Sequence, residues 1–315
     1  MKIGTIFLLL FAILNTLTLR STSLDQQEIS GLSQIQAKWN GIVDWTGPPS
    51  CEWPHLHCSA SDHVIKLAIH GLLLGEEIPD EISSLSYLEE LTLSNASLIG
   101  EISPTIASLP KLRILNLSHN QLTGPIPNLL ALLTILDLQH NKLSGGLPVN
   151  LYRLFSLKFL ELNHNRLTGT ISDSIGNLMQ LETLVLHSNL LTGSIPQSIE
   201  KLTRLSRVSL GKNSLTGIIP PTICSLRSAS DFQLGPNFFA CPLPSCCGCD
   251  LNASCHQRLN GTQMADLQNG DPSDNLNIWM SIAVLGLLIC GRFLVNNYIE
   301  SCVAAPESIT VDDDI

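Results

Sequence analysis

A single phrase, LxxLxLxxNxLxGxI, is written six times between Leu88 and Pro220, usually closed by a proline, and its regularity settles the architecture before any local reading can. Aligned on their turn residue, the copies stand at Ala96, Asn120, Asn141, Asn165, Asn189 and Asn213, at intervals of 24 residues except for one of 21. A degenerate opening copy places Leu72 there, and a closing copy places Asn237. About eight turns of a solenoid are therefore predicted over residues 64–240, each sealed by its neighbours because none can bury its own apolar face.

The chemistry of one turn explains the spelling. From Leu181 to Asn189 alternate residues of a short strand point opposite ways, so Leu184 and Leu186 face inward while Thr183, Val185 and His187 face out. Leucine builds the core. Asn189 follows where the chain must bend, and its amide both donates and accepts, so it can satisfy backbone groups that a buried turn would strand. Repeated coil after coil, these amides should form an internal ladder. Gly100, Gly124, Gly145, Gly169, Gly193 and Gly217 recur at one place, and Pro127, Pro148, Pro196 and Pro220 stiffen the return side.

The full consensus LxxLxxLxLxxNxLxGxIP resembles the plant-type leucine-rich repeat of receptor-like kinases, receptor-like proteins and polygalacturonase inhibitors. That resemblance implies an α/β-type solenoid, a right-handed superhelix with a parallel β-sheet on its concave face and cysteine caps at its ends. The preceding stretch agrees, because Cys51-Glu-Trp53-Pro-His-Leu-His-Cys58 is similar to the family's amino-terminal cap, CxWxGVxC, with Trp45 upstream. The cap implies a disulfide between Cys51 and Cys58. Residues 236–246, PNFFACPLPSC, resemble the carboxyl-terminal cap. Three departures stand out: His55 replaces a Gly, Ser103 and Ser172 replace the Pro, and the coil before Asn141 is three residues short, which should tighten its convex side.

The ends of the chain read as processing and anchoring signals. Lys2, an apolar run from Ile6 to Leu14 and small residues at Ser21 and Ser23 form a secretory signal over residues 1–23. The expected order is then an amino cap over 24–63, repeats over 64–240, a Cys-rich cap over 241–256 and a polar stalk over 257–277. Residues 278–291, IWMSIAVLGLLICG, are uncharged and apolar, and extension to Ile299 gives one C-terminal transmembrane helix over 278–299 if Arg292 snorkels toward the headgroups. The competing reading of that segment is an apolar docking helix. A tail over 300–315 would be cytoplasmic.

In the secretory route the ten cysteines are expected to oxidise. Beyond Cys51 and Cys58, the six residues Cys224, Cys241, Cys246, Cys247, Cys249 and Cys255 leave the connectivity open, and a zinc site among the last four is disfavoured by the compartment and the spacing. Sequons stand at Asn95, Asn116, Asn252 and Asn260. A net charge of −10 without a basic stripe excludes nucleic acid as a partner class.

No nucleophile elbow, phosphate-cradling glycine loop or HExxH occurs, so the chain reads as a binding protein with no cofactor and no catalytic residues. Its surface of interest is the concave sheet. One outward column runs Glu90, Ile114, Ile135, Phe159, Thr183, Arg207, so three consecutive coils present large apolar groups. Beside it lie Asp137, Glu161 and Val185, giving an apolar stripe rimmed by charge, although such residues also simply suit strands. A second column holds His119, His140 and His164 immediately before the ladder Asn, where charging would make neighbours repel. An exposed histidine also needs no task.

The resemblance implies a single-pass plasma-membrane receptor-like protein without a kinase, binding an extracellular peptide or protein and signalling through a co-receptor that has a cytoplasmic domain. The alternatives are a secreted inhibitor of a cell-wall-degrading enzyme and a wall or matrix scaffold.

Overall fold

The computed structural model describes residues 24–129, 132–226 and 231–240. The expected signal, carboxyl cap, stalk, membrane span and tail lie outside these residues, as do Asn252 and Asn260. Among the described residues no helix is long and apolar enough to cross a membrane.

The chain opens with α1 (Gln26–Lys38), started by a capping box in which Asp25 accepts from the Gln27 amide at 2.7 Å. Glu28, fully buried, accepts from the Val64 amide at 3.0 Å and pairs with His63 at 3.1 Å, which ties the helix to the first coil. His63 in turn stacks on Tyr87 with ring centroids 3.6 Å apart. Trp45 and Trp53 stack at 4.9 Å, each donating its indole N–H to a backbone carbonyl. Cys51 and Cys58 are disulfide-bonded across 5.8 Å between their Cα atoms, as the cap motif implies. At His55, where the family has glycine, the backbone still holds φ at +70° and the ring Nδ1 lies 3.1 Å from the Ala68 carbonyl. Histidine is among the non-glycine residues that tolerate this region best.

The concave wall is a nine-stranded sheet. Strand β1 (Leu56–Cys58) runs antiparallel to β2 (Val64–His70). The remaining strands are parallel and in sequence: β3 (Glu90–Ser94), β4 (Ile114–Asn116), β5 (Ile135–Asp137), β6 (Phe159–Glu161) and β7 (Thr183–Val185). After β8 (Thr192–Gly193) come β9 (Arg207–Ser209), beside β7, then β10 (Ser214–Ile218) and β11 (Asp231–Gln233), beside β9. A second sheet joins β8, β10 and β12 (Phe238–Ala240) on the outgoing side of the coils.

The asparagine ladder is present. Asn120 Oδ1 accepts from the Ala96 and Leu98 amides at 3.0 Å each, while its Nδ2 donates to the carbonyls of Leu93 at 2.7 Å and Leu117 at 2.9 Å. Asn165 repeats the pattern, and so does Asn237 at the last coil. The amide thus satisfies buried backbone groups at the bend, at least four at Asn120 and at least three at Asn165. Inside the ladder lies an unbroken column of leucines, Leu91, Leu115, Leu136, Leu160 and Leu184, all fully buried.

The convex side is made of short 3₁₀ turns, such as Pro104–Ser108 and Asp173–Asn177. Both serines that replace proline keep its extended backbone and add a cap: Ser103 accepts from the Thr105 amide at 3.2 Å and Ser172 from the Ser174 amide at 3.1 Å. The short coil, between β4 and β5, has no 3₁₀ turn among its described residues. The missing residues come out of the convex side, and the ladder passes undisturbed, since Asn141 still bridges Leu117 at 2.9 Å and Leu122 at 3.0 Å. The repeated glycine has φ near +75°, and a Cβ at Gly124 would stand 2.6 Å from the Glu101 side chain of the preceding coil.

Candidate ligand-binding surface

Strand register fixes the concave columns. Ile114 pairs with Ile135, Ile135 with Phe159, Phe159 with Thr183 and Thr183 with Arg207, so the apolar stripe is continuous across β4, β5 and β6. Its three side chains are half-buried rather than fully exposed. One expectation fails: Val185 is 1 % exposed and offers a ligand almost no surface, and Thr183 beside it is also buried. On a concave wall the columns lean together, and these short β-branched side chains sit below their longer neighbours.

The adjacent column places Asp137 opposite Glu161 on β5 and β6. Sequence reasoning stopped there, but a third outward column completes the arrangement. Gln139, two residues after Asp137, donates its Nε2 to Asp137 Oδ2 at 3.3 Å and to Glu161 Oε2 at 3.2 Å. Its Oε1 accepts from Asn163 Nδ2 at 3.4 Å. Asn163 is buried, and its own Oδ1 has no hydrogen-bond partner among the described residues. Burial pushes the Glu161 carboxyl above its ordinary value, Asp137 adds to the shift, and Arg207 opposes it. The signal for Gln139 and Asn163 was the strand alternation itself, carried one step further toward the ladder.

Beyond this column stand the histidines. His119 and His140 stack with centroids 4.4 Å apart and planes 13° from parallel, His140 and His164 at 4.2 Å and 13°, and His187 closes the row edge-on at 5.0 Å. The first three occupy left-handed backbone, with φ between +53° and +56°. Asn95, Ser188 and Lys212 hold the same conformation at the same place in their coils. The bend before the ladder therefore requires left-handed backbone, which explains His there, and strand spacing then forces the rings together. His140 is lowered from the ordinary imidazole value by burial, then by His164 and His119, with Asp137 opposing. His187 is lowered by burial, then by His164, Arg207, Lys212 and His140.

Of the two described sequons, Asn95 is exposed. Asn116 is half-buried on β4, where its Oδ1 accepts from the Ser118 amide at 3.0 Å and hydroxyl at 2.7 Å. Cys224 is also disulfide-bonded, and since Cys51 and Cys58 bond each other its partner lies outside the described residues. No group of three or more His, Cys, Asp or Glu among the described residues could hold a metal ion.

A family model described as Leucine Rich Repeat matches residues 111–133, 132–154, 156–178, 180–202 and 204–226. The chain is 36% identical over 95 residues to the LRR receptor-like serine/threonine-protein kinase RGI2 of Arabidopsis thaliana, a match covering 27% of this chain and 8% of that protein. The Arabidopsis receptor kinase HAESA, solved in complex with the peptide hormone IDA and the co-receptor SERK1, superimposes with a TM-score of 0.57 at 27% identity over 73% of this chain and 45% of that one. A plant ice-binding protein gives a TM-score of 0.61 at 28% identity over 73% of this chain and 85% of the other. The chain thus spans less than a tenth of the curated relative and under half of the receptor ectodomain.

Proposed function

Since the chain carries plant-type leucine-rich repeats and is similar to plant leucine-rich-repeat receptor kinases, we propose that it is a membrane-anchored extracellular recognition protein. In this reading it acts without a kinase of its own. It binds a peptide or protein on its concave sheet and signals through a co-receptor with a cytoplasmic domain. The observation that carries the proposal is the in-register stripe of Ile114, Ile135 and Phe159 with Asp137 and Glu161 beside it. An apolar centre bordered by charge is the anatomy of a protein contact. His119, His140 and His164 line its far side. Val185 drops out of the contact set because it is buried.

Anchoring by residues 278–299 and glycans on Asn95, Asn116, Asn252 and Asn260 belong to the same proposal. A glycan on Asn116 would crowd Ile114 and centre the contact on Ile135 and Phe159, because Asn116 shares β4 with Ile114. Adhesion to ice, the activity named for one structural neighbour, fits this surface less well. A crystal plane repeats at a fixed spacing, whereas the first outward column here changes from Glu90 through Ile114, Ile135 and Phe159 to Thr183 and Arg207.

The test places a photo-crosslinking amino acid at position 159 and, as control, at the convex residue Glu200 of the full-length protein at its native membrane. Crosslinks to an extracellular peptide or protein from position 159 support the proposal, and Phe159→Ala should weaken capture by about 2 kcal/mol. Crosslinks confined to position 200 would refute the concave reading. Release of the protein from membranes by alkaline wash would refute the anchor and favour a secreted inhibitor or wall scaffold.

A further inference from the structure

We infer that Asp137, Glu161 and Asn163, together with the wall formed by Ile135 and Phe159, make a subsite for a guanidinium group carried by a peptide ligand. The inference rests on the proposed reading of the concave face and specifies the chemistry of what binds there.

The argument is one of unmatched acceptors. Asp137 and Glu161 are register partners on neighbouring strands, so both carboxylates rise from the same face about 4.8 Å apart in backbone spacing. No ion pair involves either of them among the described residues. Arg207 belongs to the Phe159 column and stands two strands beyond β6, with β7 between. The local donors come from Gln139: its backbone amide reaches Asp137 Oδ1 at 3.2 Å, and one neutral Nε2 is shared between the two acids. Asn163, 4 % exposed, leaves the strand on the same side two residues after Glu161, and its Oδ1 has no partner. Two carboxylates and an orphaned amide oxygen therefore face a single side-chain amide that holds the place of a cation.

A guanidinium supplies what is missing. It carries five N–H donors in a planar fork, enough to bridge carboxylates on two strands and reach a third acceptor once the Gln139 amide swings aside. An ammonium is a compact point charge and cannot span the strands as well. Two carboxylates give calcium only part of the six to eight oxygens it takes, and no group of three or more His, Cys, Asp or Glu among the described residues could hold a metal ion. Ile135 and Phe159 lie two residues before the acids on the same strands and form a wall along which the methylene stem of an arginine can lie. The elevated Glu161 carboxyl agrees: burial and then the charge of Asp137 raise it, and Arg207 offsets them only in part.

The test uses the full-length protein and synthetic dipeptide amides, titrated calorimetrically. N-acetyl-Leu-Arg-amide should bind saturably, and the citrulline analogue, equal in shape but uncharged, should bind about tenfold more weakly or worse. Glu161→Gln and Asp137→Asn should each cost the arginine probe a similar factor and leave the citrulline probe unchanged. Phe159→Ala should weaken both probes alike. Equal binding of arginine and citrulline, or no saturable binding of the arginine probe, overturns the inference. Leu-citrulline-amide with a free amino terminus binding as tightly as the arginine probe would also overturn it, in favour of a chain terminus. If the acid variants lose affinity and Phe159→Ala does not, the apolar contact reading fails while the subsite stands. The reverse result sinks the subsite alone.

Discussion

The ladder and the acid cluster are both built of amides inside one sheet, yet they are opposites in hydrogen bonding. Every ladder asparagine from Asn120 to Asn237 saturates its amide on backbone groups, at distances that hardly vary from coil to coil. Gln139 and Asn163 lie only two residues before ladder asparagines, but Gln139 is divided between two acids and Asn163 keeps an unpartnered oxygen. The ladder repeats and the cluster occurs once. A repeat protein can leave polar groups unmatched at one place because the stacked coils around it supply the stability. The constant column holds the fold, and the column that changes is where a ligand can be recognised.

Breaking the constant column should give the largest effect. Asn165→Ala would orphan the Leu143 amide in the buried interior and leave the carbonyls of Leu138 and Leu162 each with one side-chain donor in place of two, Asn141 and Asn189 respectively. With about 1–3 kcal/mol for the stranded amide and about 1 kcal/mol for the hydrogen bond lost at each carbonyl, a loss of about 3 kcal/mol or more is expected in chemical denaturation of the purified protein. Asn163→Ala, two residues away, should cost far less, since only the contact to Gln139 is lost. Equal losses from the two variants would erase the distinction drawn between the columns.

Next in size is the amino cap. Cys51→Ser removes the disulfide beside the stacked tryptophans, and about 2–4 kcal/mol of stability should go with it, together with secretion yield. Wild-type secretion of the variant would show that α1 and the tryptophan stack seal the first coil by themselves.

How much of this was legible beforehand follows the same division. The strands, the ladder and the positive-φ glycines were written in the repeat, because each answers a requirement met in every coil. The Cys51–Cys58 bond came with the cap motif. What the pattern could not convey was depth: Val185 and Phe159 both occupy outward positions, yet one is buried and the other half-exposed. Outwardness is a property of a strand, whereas exposure depends on the neighbouring coils. Gln139 and Asn163 were overlooked for a related reason. Neither residue type is conspicuous alone, and their meaning lies in the pairing with acids on two strands.

A smaller effect should appear in the histidine row. His140 and His187 are lowered by burial and by neighbouring positive charge, so in the folded state they bind protons less readily than in the unfolded chain. Their contribution to stability is fully present above the ordinary imidazole value of about 6.5 and is lost as pH falls from there through the folded values. Asp137, which faces His140, works against this loss, while Arg207 and Lys212 near His187 reinforce it. His140→Asn, whose side chain suits the left-handed bend, should flatten the fall in stability between neutral and acidic pH. Denaturation curves at several pH values that coincide for variant and wild type would leave the stack without energetic meaning.

The smallest expected change is the one that separates site from scaffold most sharply. Glu161 is held above its ordinary carboxyl value, so the folded protein favours its protonated form. That stabilisation is complete below the unfolded value and disappears as pH rises through the folded one, which means that ionised Glu161 costs stability near neutrality. Glu161→Gln keeps the shape and removes the charge that burial and Asp137 both oppose. It should therefore leave stability at pH 7 unchanged or raise it by up to about 1 kcal/mol, while ligand capture falls. In acid, where the wild-type carboxyl is already protonated, the gain should vanish. A ladder residue can show no such behaviour, because its loss weakens the fold at every pH. If Glu161→Gln instead destabilised the protein at neutral pH, the carboxylate would be part of the scaffold, and the unmatched column would have to be sought elsewhere on the concave sheet.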